Sequence, residues 1–115
     1  MTIAITQERI ANAYGQLMSH KEELADASAE LENVASALRW ARFGAIAEGK
    51  ITGKNADERE ACEWLLLRPL YESEQNVARD VAALRVAVDV AALVVEQLRT
   101  ELRLLELNAA ITPAR

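Results

Sequence analysis

Large aliphatic residues recur at every seventh position along the first third of the chain: Ile3, Ile10, Leu17, Leu24, Leu31 and Leu38. A seven-residue apolar repeat keeps one stripe of a long helix turned toward a partner, so the pattern predicts a coiled-coil seam. The neighbouring core position holds Ala13, His20, Ala27, Val34 and Ala41, mostly small side chains that let a second helix approach closely. This first helix is expected over about 6–48, with the Thr6 hydroxyl as its cap and Gly49 as its stop.

Residues 49–55 read as the turn, built on Gly49, Gly53 and Asn55, with Asn55 and Glu58 spaced as a capping box for the next helix. That second helix is expected over about 56–67. Pro69 lacks a backbone donor and disfavours helical geometry at Arg68, so a kink or short break is expected there. The third helix, about 71–108, alternates steps of four and three through Val77, Val81, Leu84, Val88, Ala91, Val95, Leu98, Leu102, Leu105 and Ala109, a second heptad seam. Folding back at the turn sets Leu38 near Leu67, Leu24 near Val81, Leu17 near Val88, Ile10 near Val95 and Ile3 near Leu102. The expected fold is all-α: a long antiparallel helical hairpin forming a coiled coil, one domain over residues 1–115.

The third helix is also apolar on the side away from that seam, at Val86, Val90, Leu93, Leu104 and Leu107. One hairpin arm covers only one face. A helix apolar on two sides is buried on two sides, which predicts a homo-oligomer, a dimer first, assembling as a multi-helix bundle. The alternative is a groove that takes a partner's helix.

Composition narrows the functional classes. The chain has 115 residues, 51% hydrophobic and 27% charged, with only four glycines and two prolines, a profile of long helices. A net charge of −5 argues against a general grip on phosphate backbones. The single cysteine, Cys62, has no partner for an internal disulfide, which suits a reducing cytoplasm, and its simplest reading is a small buried helix residue. His20, the one histidine, falls on the small-residue side of the first seam and reads as a structural residue with a hydrogen-bond partner. Gly44 to Ile51 nearly matches a phosphate-binding loop, but Ile51 stands where the magnesium-binding hydroxyl belongs and no strand precedes it. No catalytic, cofactor or metal site is expected, and the chain reads as non-enzymatic. The start of the chain shows no basic segment followed by a long apolar run, and the stretch 84–95 is interrupted by Arg85 and Asp89, so a cytoplasmic protein without a membrane span is expected.

The turn end gathers Trp40, Phe43 and Trp64 with Arg39, Arg42, Lys50, Lys54, Arg59 and Arg68. Cations interleaved with aromatics track single-stranded nucleic acid by charge and stacking, and Trp40, Arg42, Lys50, Lys54 and Arg59 are the candidate contacts. Glu48, Asp57, Glu58, Glu60 and Glu63 oppose that charge.

The run 51–59, Ile-Thr-Gly-Lys-Asn-Ala-Asp-Glu-Arg, contains a T-G-K-N-x-x-x-R element between two long helices. It resembles a turn of short helical-hairpin proteins of tailed bacteriophages, most of which lack an assigned activity. The resemblance implies that Asn55 caps the helix after the turn and that Arg59 reaches back to loop carbonyls. The WXG100 family of helical hairpins is not matched, because three residues separate Trp40 from Gly44. The expectation is a non-enzymatic, self-associating coiled-coil protein, phage-encoded, that binds another protein as an interaction or regulatory factor. The alternative is an accessory factor in phage DNA replication or recombination that contacts single-stranded DNA through the basic, aromatic tip.

Overall fold

A computed structural model describes residues 2–111. They form two long helices joined by one turn, α1 (Ile3–Ala47) and α2 (Ala56–Ile111), with no strand among the described residues. The fold is all-α, a helical hairpin. Contacts gather into two compact units, each drawing on both helices: residues 2–24 with 83–111, and residues 25–82. A two-helix seam makes contacts between residues level with one another.

In the first unit Ala13, Leu17, Val95 and Leu98 are buried, with Ile10, Val88, Ala91 and Ala92 packed against them. Leu17 and Val88, and Ile10 and Val95, which the expected register sets side by side, therefore share one cluster. In the second unit Leu38, Ala45, Leu67 and Val81 are buried. Each such large aliphatic side chain contributes about 1.5–3 kcal/mol by leaving water. The seam positions of α2 from Val77 to Leu105 are buried or half-buried, whereas Ala109, the last position the pattern assigns to the seam, is exposed near the end of the helix.

The ends of α1 are set by short polar contacts. Thr2, not Thr6, is the N-cap: its Oγ1 accepts the Ile5 N–H at 3.2 Å, and its carbonyl accepts the Thr6 N–H at 3.1 Å. Thr6 lies inside the helix, fully buried, and donates its hydroxyl to that same carbonyl at 3.0 Å. Starting one turn earlier half-buries Ile3, which a start at residue 6 would leave outside the helix. At the other end Lys50 N–H donates to Ala45 O at 2.9 Å and Gly49 N–H to Ile46 O at 3.1 Å. With Gly49 at φ +71°, this is a Schellman termination, satisfying carbonyls that a helix end orphans.

The expected second and third helices are one. α2 runs through Pro69 from Ala56 to Ile111, so neither the break nor the separate segments 56–67 and 71–108 are found. The proline ring frees the Leu65 carbonyl, four residues earlier, from its helical bond. Leu65 and Pro69 are both exposed, while Leu67 is buried and Leu70 and Tyr71 half-buried on the other side. Packing on that face holds the helix where local propensity would interrupt it.

Candidate interaction surface

The outer face of α2 in the first unit is apolar and open. Val86, Val90, Leu93, Leu104 and Leu107 expose 51–64% of their surfaces, and Ile111 extends the stripe at 75%. They lie opposite the seam that packs on α1, because alternate steps of three and four from Val86 stay about half a turn from Val88 and Val95. Isolated exposed apolar residues are ordinary; here Val, Leu and Ile form a row along one helix face, interrupted at Gln97 and Thr100. At one end of the stripe, Val86 and Val90 also line, with Val94 and the α1 residues Ala13, Gln16 and His20, a shallow groove between the helices of this unit. His20 is half-buried there, and its Nδ1 finds no hydrogen bond; the nearest carboxylate, Glu23, is 4.0 Å away. Most of the side chains lining the groove with His20 are alanines and valines, with Gln16 the other polar one, and the hydrogen bond expected for this histidine is not made at Nδ1.

The second unit carries the turn and the basic, aromatic residues. Asn55 Oδ1 accepts the Glu58 N–H at 2.9 Å, and Glu58 Oε2 accepts the Lys54 N–H at 2.7 Å, one residue before the position that a regular capping box uses. Arg59 Nη1 donates to the Gly53 carbonyl at 3.4 Å. A β-carbon on Gly53 would stand 2.7 Å from the Arg59 backbone nitrogen, so the helix start closes onto a position that only glycine fits. Cys62 is half-buried under this turn, its thiol 3.5 Å from both the Lys50 carbonyl and the Thr52 N–H.

The turn assembles as a structural device, and the cations around it are largely engaged. Arg42 Nε pairs with Glu63, and the Tyr71 hydroxyl donates to the same Glu63 oxygen at 2.7 Å. Burial pushes the Tyr71 hydroxyl above its ordinary range, aided by its hydrogen bond to Glu63 and that carboxylate's charge. Lys50 pairs with Glu48 at 2.7 Å and, by that hydrogen bond and its charge, holds the Glu48 carboxyl below the usual range. Of the five residues that sequence suggests for nucleic acid, Arg42 and Lys50 are therefore in ion pairs and Arg59 is tied to the loop. Trp40 stands out at 72% exposed, edge-on to Phe43 with ring centroids 6.2 Å apart. Trp64 instead packs on Tyr71 at 5.3 Å.

The Arg42–Glu63–Tyr71 cluster is invisible to a reading built on apolar periodicity. Its only signal is that Glu63 and Tyr71 lie eight residues apart, about two helical turns, on one side of α2. Among the described residues no group of three or more His, Cys, Asp and Glu is placed to hold a metal ion, and no helix is long and apolar enough to cross a membrane. No family model, curated protein or solved structure matches the chain.

Proposed function

We propose that this chain is a non-enzymatic, cytoplasmic helical protein that self-associates through the outer face of α2 and, once assembled, binds another protein as an interaction or regulatory factor. The observation that carries the reading is the stripe Val86, Val90, Leu93, Leu104 and Leu107, each more than half exposed on a helix whose other face is packed. Covering such a stripe with a second copy removes several large aliphatic side chains from water, each contributing about 1.5–3 kcal/mol. The likeness of the T-G-K-N-x-x-x-R turn to phage helical hairpins favours a phage-encoded protein. Light scattering on the purified chain tests the core of this reading. A mass above that of one chain is expected, and a monodisperse monomer at all concentrations would sink it.

A second reading, contact with single-stranded DNA at the tip, draws on the exposed Trp40–Phe43 pair. It is the weaker one, because Glu63 and Glu48 already neutralise Arg42 and Lys50. Salt-sensitive gel shifts that vanish on Trp40→Ala and Lys54→Glu would favour it; their absence removes it.

A further inference from the structure

The exposed face of α2 carries its own heptad, and its charges specify how a second copy lies on it. Val86, Val90 and Leu93 precede two polar positions, Gln97 and Thr100, and Leu104, Leu107 and Ile111 complete the row. The steps alternate four and three throughout, so all eight lie on one stripe that drifts little over roughly 40 Å of helix at 1.5 Å per residue. Glu96 and Arg103, exposed and seven residues apart, share one flank of this stripe, and neither forms an ion pair within the chain among the described residues. Glu101 lies on the opposite flank.

We infer that two copies pair antiparallel along this face, with the two-fold axis between Gln97 and Thr100. The inference rests on the self-association proposed above and adds its orientation and register. In that register Leu93 meets Leu104 of the second copy, Val90 meets Leu107, Val86 meets Ile111, and Gln97 meets Thr100. Large apolar residues face large apolar residues, and the polar positions fall together at the centre. The Thr100 hydroxyl already donates to the Glu96 carbonyl at 3.0 Å, which leaves its oxygen free to accept from the Gln97 amide across the axis. A two-fold axis perpendicular to the helices sets each flank against its own reversed copy. Glu96 therefore lies beside Arg103 of the second copy, and the symmetry makes this ion pair twice. A parallel pairing in register brings Glu96 beside Glu101 of the second copy instead, twice, and like charges at such flanks oppose association.

Arg85 is exposed near one end of the stripe and serves as a reporter. With Cys62→Ser removing the native thiol, Arg85→Cys carrying a nitroxide gives a distance by double electron–electron resonance, read on a sample whose mass is fixed by sedimentation equilibrium. The antiparallel dimer predicts about 40 Å between labels, from roughly twice 13.5 residues at 1.5 Å each. A dimer with labels within about 20 Å overturns the orientation and leaves self-association standing; a monomer overturns both. The charges give an independent check: E96R should weaken the dimer about tenfold, and E96R with R103E should restore it. A dimer in which the double variant recovers nothing would overturn the register.

Discussion

Single residues at the turn act through space and charge. Gly53 is held by proximity: its missing β-carbon is what lets the first turn of α2 close against the loop, so Gly53→Ala should cost about 1–3 kcal/mol in urea denaturation. Gly15, inside α1 with open space where a methyl group would stand, is the contrast; Gly15→Ala should stabilise by about 0.5–1 kcal/mol through helix propensity alone. Tyr71 supplies a pH-dependent contribution. Its raised value means that the folded state holds the phenolic proton more tightly than the unfolded state, so the stabilisation is complete below the ordinary tyrosine value of about 10 and is lost as pH rises through the folded value. Stability should fall on the alkaline side in the wild type, and Tyr71→Phe should flatten that limb in denaturation curves taken across it.

At the scale of the element, α2 is a helix whose length is decided by what it packs against. Pro69 removes one backbone bond, and the helix continues because Leu67, Leu70 and Tyr71 are held on the buried side. The proline is thus a local cost that packing offsets. Replacing it with alanine should restore the bond to Leu65 and raise stability by about 1–3 kcal/mol, with an unchanged circular dichroism spectrum. A large gain in helical signal would instead mean that the wild-type helix is interrupted there in solution. The start of α1 obeys similar logic. Thr2, one turn before the expected cap, adds a turn that half-buries Ile3 while Thr6 bonds back into the helix.

For the whole molecule, the decisive property is that α2 is apolar on opposite sides. Leu17 and Val95 belong to the packed seam, whereas Val90 and Leu93 belong to the open one. Leu17→Asp places a charge in a core with no partner and should unfold the chain, read as loss of helical signal. Val90→Asp should leave the helical signal intact and shift the mass toward one chain in light scattering. Equal loss of structure in both variants would mean that the two faces are not independent.

Much of the architecture was legible in periodicity, because seam burial depends only on which residues share a helix face, and spacing alone dictates that. Leu17, Val88 and Val95 pack as their heptad positions require, and Gly49 and Asn55 bound the turn through backbone and short side-chain contacts that are local in sequence. Tertiary structure decided what depends on neighbours distant along the chain. It carried the helix through Pro69, chose Glu63 from the five acids near the turn as the partner of Arg42, and left His20 Nδ1 without a hydrogen bond. Local spacing sets the face a side chain occupies; whether that side chain meets a carboxylate, a methyl group or water is settled only when the second helix arrives.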